Sequence, residues 1–161
     1  MRRALLVLTC LLGIVYAQTP SGKPTPFDQP VLETVANPER ILNAIKNAKE
    51  HIFLVIPGLD SQTLLEALGE RAGRITVYVV MSSGKDHLAA ELTNYGAQVR
   101  LMNNTAEGVM LVDYQTLFVG GLISGTEAQT QFVDLSAYGN STMVNQMRAL
   151  WQAATPFGEQ P

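Results

Sequence analysis

Residues 108–121, with the sequence GVMLVDYQTLFVGG, decide the fold because two apolar runs stand on either side of a short polar turn. Val109–Val112 and residues 117–119 flank Asp113, Tyr114 and Gln115. Apolar runs of this length, separated by so few residues, are typical of two antiparallel strands joined by a hairpin turn. The sequence therefore predicts a β-hairpin with Asp113 in its turn.

Upstream of the hairpin, three more strands are predicted. Residues 52–56 and 75–81 are nearly continuous apolar runs, which is the pattern of strands buried on both faces of a sheet. Gln98–Met102 alternates between apolar and polar residues, as a half-buried strand does.

A helix precedes each of these strands. Asn37 can cap the first helix, with Pro38 as its first residue, and Asp60 or Ser61 can cap the second. The third helix is expected to end at Gly96. Its predicted inner face consists of Leu88, Leu92 and Tyr95.

The last part of the chain adds a strand at residues 131–135 and a helix at residues 141–154. Four residues of this helix are spaced to face a core: Met143, Met147, Leu150 and Trp151. The order of elements predicts an α/β fold, a mixed β-sheet with helices on both of its faces.

The N-terminus has the pattern of an export signal. Arg2 and Arg3 precede an apolar run at residues 4–15, which is shorter than the roughly 20 residues of a membrane-spanning helix. Cleavage after Ala17 is predicted, and a retained membrane anchor is the alternative. The expected division is a signal peptide at 1–17, a proline-rich linker at 18–31, a single domain at 32–157 and a tail at 158–161, which places the protein in a bacterial periplasm or outside the cell.

Composition excludes several classes of site. The net charge of −3 over 161 residues argues against a strongly basic nucleic-acid binder. The single cysteine, Cys10, lies in the predicted signal, so neither a disulfide within the domain nor a cysteine zinc site is expected. We predict no metal and no cofactor, and after signal cleavage no membrane span.

Five stretches of the chain resemble the phospholipase D-like superfamily, and together they run over most of residues 32–157. They are ILNAIKNAKEHI at 41–52, AQVRL at 97–101, GVMLVD at 108–113, LFVGG at 117–121 and MRALW at 147–151. The resemblance implies a phospholipase D-like single domain with one copy of the family motif.

That motif is His-x-Lys, four residues and Asp, followed by Gly-Ser-x-Asn. In the family, the histidine attacks phosphorus, and the lysine, serine and asparagine hold the phosphate oxygens. With Asp113 as the anchor, Gly120 fits the motif's glycine. The other motif positions are degenerate, with Ala106 for histidine, Gly108 for lysine, Gly121 for serine and Ile123 for asparagine.

No other register restores the motif, because the two histidines, His51 and His87, are not followed two residues later by lysine. The resemblance therefore implies that the family's catalysis is lost. Single-motif members pair as homodimers, so we expect a homodimeric binding or scaffolding module. A partner in the cell envelope is a further possibility that the sequence leaves open.

Two alternatives remain at the level of sequence. A hydrolase for phosphodiesters or phospholipids could use His87 as a base oriented by Asp86, although His87 fits a solvated helix residue better. A small anion-binding module could use Ser82, Ser83, Gly84 and Lys85, which lie where a strand gives way to a helix. Met143 and Met147 have a spacing that could suit copper(I), but core packing is the better interpretation.

Overall fold

The computed structural model describes residues 32–35, 37–103, 105, 108–125, 130–135 and 141–158. Its elements, in chain order, are β1 (Leu32–Val35), α1 (Pro38–Asn47), β2 (His51–Ile56), α2 (Gln62–Ala72), β3 (Thr76–Ser82), α3 (Asp86–Asn94), β4 (Gln98–Met102), β5 (Val109–Val112), β6 (Thr116–Gly120), a 3₁₀ turn (Gly121–Ser124), β7 (Thr130–Asp134), α4 (Ser141–Ala153) and β8 (Thr155–Pro156).

The described strands form one mixed sheet of eight, in the order β1-β7-β6-β5-β2-β3-β4-β8. β2, β3 and β4 run parallel, and every other neighbouring pair is antiparallel. Parallel neighbours end at the same edge of a sheet, so the carboxyl ends of β2, β3 and β4 lie together. The start of the antiparallel β5 and the end of β6 lie at that same edge, which we call the carboxyl edge.

Helices cover both faces of this sheet, as the sequence predicts. α1, α2 and α3 pack on one face around a core that includes Ile41, Ile52 and Leu68. On the other face, Met147 of α4 packs against residues such as Phe53. The alternation along β2 explains the division, because neighbouring side chains of a strand point to opposite faces.

The predicted helix boundaries have local chemical causes. The Asn37 side chain accepts a hydrogen bond of 2.8 Å from the backbone N–H of Glu39, and Ser61, rather than Asp60, caps α2 through the N–H of Leu64. After α3 the chain turns at Gly96, whose φ of 99° favours glycine.

The predicted inner face of α3 is wrong at one position. Tyr95 is 41% exposed, whereas Leu92 is fully buried and Leu88 partly buried. The Tyr95 ring packs instead over Gly69 of α2, where a Cβ would come within 2.8 Å of the ring. Tyr95 therefore covers the junction of two helices from outside.

Other differences from the sequence prediction are at the ends of the sheet and on α4. The edge strands β1 and β8 were not predicted, and β3 lies one residue later than expected. On α4, Met147 is fully buried, while the other three predicted core residues are only partly buried: Met143, Leu150 and Trp151.

The predicted signal peptide and linker lie outside the described residues, as does most of the predicted tail. Of the helices that the structure describes, none combines the length and the apolar character needed to cross a membrane.

Candidate functional site

Asp113 lies in the tight turn that joins β5 to β6. Both central residues of this turn have left-handed backbone angles, with φ of 49° at Asp113 and 56° at Tyr114. The N–H of Gln115 closes the turn by donating to the Val112 carbonyl over 2.9 Å. A two-residue turn with these angles matches the twist of the strands, and aspartate tolerates the left-handed region better than most residues do.

The carboxylate of Asp113 reaches across to the segment between α1 and β2. It accepts backbone hydrogen bonds from Lys49 at 2.9 Å, Glu50 at 2.9 Å and His51 at 3.1 Å. In return, the N–H of Asp113 donates to the His51 carbonyl over 3.0 Å. We call this set of four hydrogen bonds the Asp113 clamp. It ties residues more than 60 positions apart into one corner of the sheet.

The clamp affects the ionisation of Asp113. Burial raises the pKa of this carboxyl, but the hydrogen bonds from Glu50, Lys49 and His51, together with the charge of His51, outweigh burial and hold the pKa below its ordinary value of 3.8. Asp113 is therefore ionised at neutral pH, where a carboxylate accepts these hydrogen bonds best.

His51 belongs to the same corner, a role that its position at the start of a strand did not reveal. It is 9% exposed, and its ring centroid lies 3.5 Å from that of Tyr114. Its Nε2 is buried, and no described residue forms a hydrogen bond with it. The ring therefore packs under the turn, away from the carboxyl edge where the motif's other positions lie.

At the carboxyl edge, the position of the motif's lysine is closed. A Cβ on Gly108 would stand 2.9 Å from the Gly120 carbonyl oxygen, 3.0 Å from the Cβ of Ile123 and 3.1 Å from the Oγ of Ser124. The Gly120 N–H also donates to the Gly108 carbonyl over 2.8 Å. The backbones at these two glycines are thus too close for any side chain at 108 unless the neighbours move.

The other degenerate positions that the sequence analysis assigned are alanine, glycine and isoleucine. Gly121 and Ile123 lie in the 3₁₀ turn directly after β6, and Ala106 lies outside the described residues. Ser124, which sequence reasoning did not select, is 5% exposed, and its hydroxyl has no hydrogen-bond partner among the described residues. Asp113 stands at the other end of β5, about 17 Å from Gly108 along an extended strand.

A chain of hydroxyl groups crosses the carboxyl edge. Thr105 donates its hydroxyl proton to the Ile56 carbonyl over 2.9 Å, so the hydrogen bond between Thr105 and Ser82 has Ser82 as the donor. The proton of Ser82 therefore points to another hydroxyl and not to a base, which does not activate Ser82 as a nucleophile.

Next to this edge, the predicted anion-binding segment borders a shallow depression of about 250 Å³. Gly84 adopts a φ of 85° at the turn into α3. The Lys85 side chain lies over Gly58, with its Nζ 3.7 Å from the point that a Gly58 Cβ would occupy. The described residues that line this depression are Leu59, Asp60, Gly84, Lys85, Asp86, His87 and Leu88.

Asp60 and Asp86 put two carboxylates into the lining of this depression, which opposes the binding of an anion. His87 is exposed and forms no hydrogen bond or ion pair within the described part of the chain, so Asp86 does not orient it as a base. Among the described residues, no group of three or more potential metal ligands is found.

Comparison with solved structures identifies the fold. Nuc from Salmonella typhimurium, a phospholipase D family member, superposes with a TM-score of 0.67 at 17% identity over 80% of this chain and 99% of its own. NucT from Helicobacter pylori superposes with a TM-score of 0.64 at 14% identity, again over 80% of this chain and 99% of its own. The archaeal chromatin protein TrmBL2, described with a novel mode of DNA binding, gives 0.60 at 12% identity over 96% of this chain and 62% of its own.

No protein-family model and no curated protein matches the sequence. At these identities, the structural likeness shows the fold alone. The chain has a phospholipase D-like α/β fold. The fold that the sequence resemblance implied is therefore confirmed.

Replacing Asp113 with asparagine should destabilise the protein at neutral pH by about 2 kcal/mol, because the charge and one of the two acceptor oxygens are lost while the turn stays permissive. Asp113 has a lowered folded pKa, so its stabilisation is present above the unfolded pKa and is lost as pH falls through the folded pKa. The gap between wild type and Asp113→Asn should therefore narrow below about pH 4.

Urea unfolding followed by circular dichroism at a series of pH values measures this gap. Asp60→Asn removes an exposed carboxylate elsewhere and serves as the control. Equal stability of Asp113→Asn and wild type at pH 7 would contradict the clamp.

Proposed function

We propose that this chain, which has the phospholipase D-like fold, is an exported homodimeric protein that no longer catalyses the family reaction and serves as a binding or scaffolding module. The closed lysine position supports this most directly. Of the degenerate motif positions, Gly108, Gly121 and Ile123 carry no cationic or nucleophilic side chain that could hold a phosphodiester, and Gly108 and Ile123 are buried.

The reaction of the family needs a nucleophile at phosphorus and donors on the phosphate oxygens. The residue at the nucleophile's position is Ala106, which has no atom able to form a bond to phosphorus. The one polar motif residue that remains, Asp113, is engaged in the clamp at the other end of β5. Asp113 thus stabilises the fold, whereas the nucleophile and the phosphate-binding side chains of the motif are missing.

A nucleic acid is a poor candidate for the partner, although one protein of similar fold is described as binding DNA. The chain carries 11 basic and 14 acidic residues, whereas affinity for phosphate backbones depends on an excess of Lys and Arg at the contact surface. A protein surface in the cell envelope fits an acidic scaffold better.

The purified mature protein should not hydrolyse bis(4-nitrophenyl) phosphate or phosphatidylcholine above the rate of a heat-denatured sample, with or without a divalent metal. The reason is that the motif positions of the nucleophile and of the phosphate-binding residues carry alanine, glycine and isoleucine instead. His87→Ala runs in parallel as the variant that removes the alternative base. Turnover that His87→Ala abolishes would overturn the proposal and assign the protein to the hydrolases.

We expect the mature protein to have twice its monomer mass by light scattering, because the single-motif members that it resembles pair with their motifs facing each other. Asn103, exposed at the end of β4, would then lie near its symmetry mate, and Asn103→Arg should shift the mass toward that of a monomer. Asn94→Arg places the same charge at the far end of α3 and should leave the mass unchanged. A monomer mass for the wild type at all concentrations would contradict the dimer.

A second candidate, the binding of a small anion, is favoured by one observation. The Lys85 side chain lies over Gly58, and Lys85 and Gly84 both line the depression at the start of α3. An ammonium group beside a helix N-terminus can hold a phosphate.

Under this second candidate, inorganic phosphate raises the melting temperature of the wild type, and Lys85→Ala removes most of that rise. Lys46→Ala, which takes an exposed lysine from α1, is the control for the loss of one positive charge. The same rise in wild type and Lys85→Ala would exclude the depression as the anion site.

A further inference from the structure

A second cavity, of about 210 Å³, lies between α4 and the opposite face of the sheet. Its walls come from β2, β3, the hairpin turn and α4, and consist of Phe53, Tyr78, Tyr114, Val144, Met147, Arg148 and Trp151. None of the motif positions that the structure describes (Gly108, Asp113, Gly120, Gly121 and Ile123) lines it. The cavity is therefore separate from the carboxyl edge and from the surface proposed for pairing.

Aromatic rings form most of the wall, and they support one another. The Trp151 ring meets Tyr78 edge to face, with centroids 5.1 Å apart, and meets Phe53 in the same way at 6.0 Å. Phe53 and Tyr78 stack at 5.9 Å. Edge-to-face arrangements of this kind are favourable and hold ring orientations, so the wall exists before any ligand arrives.

Arg100 of β4 contacts Trp151 and the end of α4. Its guanidinium lies 4.6 Å from the centre of the Trp151 ring and donates hydrogen bonds to the carbonyls of Trp151 at 2.9 Å and Ala154 at 3.3 Å. The cation thus covers part of Trp151 and joins the end of α4 to β4. Because Arg100 is engaged in this way, it is not the group that would meet a charged ligand.

Among the described residues that line this cavity, Arg148 is the one that carries a charge. It is exposed, and within the described part of the chain it forms neither a hydrogen bond nor an ion pair. A guanidinium presents paired N–H donors that match a carboxylate. An aromatic wall with an unpaired guanidinium at its rim is complementary to a flat apolar group that carries a negative charge.

We propose that this cavity binds a small aromatic acid, a single ring with a carboxylate on a short arm. The ring would stack among Phe53, Tyr78 and Trp151, and the carboxylate would meet Arg148. The volume limits the ligand, because a cavity of about 150 Å³ accommodates benzene, so 210 Å³ leaves room for one ring and a short substituent. This inference goes beyond the proposed function and does not depend on the loss of catalysis.

Trp151 makes the proposal directly measurable, since it is the one tryptophan of the chain. Titration of the mature protein with phenylacetate should change the tryptophan fluorescence with saturation, at a Kd on the order of 0.1–1 mM, which is the affinity that a ligand of this size supports. Phenylacetamide, which keeps the ring without the charge, should bind about tenfold more weakly. Acetate, which lacks the ring, should leave the fluorescence unchanged.

Two variants test the two halves of the site. Arg148→Gln should weaken phenylacetate about tenfold while leaving phenylacetamide unaffected. Val144→Phe should fill the cavity and abolish the binding of both phenylacetate and phenylacetamide. The melting temperature of this variant shows whether it is folded. Arg74→Gln removes an exposed arginine at the start of β3 and should bind as the wild type does.

Three results would overturn the proposal. The first is no saturable change of fluorescence with phenylacetate, and the second is equal binding by wild type and Arg148→Gln. The third combines two observations: the fluorescence of the wild type changes with protein concentration, and Val144→Phe changes the mass. Together they would show that this face is a contact between two copies of the chain. None of these measurements uses turnover, so their failure is distinct from a failure of the proposed function.

Discussion

The Asp113 clamp is the interaction on which the organisation of the sheet depends. β2 lies between the parallel strand β3 and the antiparallel strand β5, so the parallel and antiparallel halves of the sheet meet there. The carboxylate in the hairpin turn takes hydrogen bonds from the segment that leads into β2, and the backbone returns one. Those three N–H groups precede or open the strand, and without the clamp they would need other partners.

Asp113 is one position of the degenerate family motif, and the position of the motif's lysine, Gly108, lies at the other end of β5. Gly108 and Gly120 face each other across the start of the hairpin, and their close backbone contact takes up the space where a lysine side chain would begin. The clamp and the degenerate motif positions Gly108 and Gly120–Ile123 thus lie at opposite ends of one hairpin. The clamp uses neither residue 106 nor residue 108, so a chain with Ala106 and Gly108 can adopt this fold.

Much of the fold could be predicted because its signals are local. Continuous apolar runs marked β2 and β3, and the capping residue Asn37 marked the start of α1. The short edge strands β1 and β8 could not be predicted, since four and two residues carry almost no periodicity and their pairing is decided by distant partners. Tyr95 was misplaced for a similar reason: helical spacing does not reveal that Gly69 on another helix leaves room for its ring.

The candidate sites divide in the same way. Asp113 and the degenerate motif positions follow from the sequence, because the motif has fixed spacing. Neither the role of His51 under the turn nor the aromatic cavity at Trp151 could be predicted, since both depend on residues brought together from distant parts of the chain.

The central claim, a phospholipase D-like fold without the family's covalent chemistry, is tested most directly by the mass of the intact protein after mixing with a phosphodiester. Spectra recorded under neutral to alkaline conditions preserve a phosphohistidine, the intermediate formed when a histidine attacks phosphorus. Our account predicts an unchanged mass at every mixing time. A phosphoryl adduct that maps to His51 or His87 would contradict it.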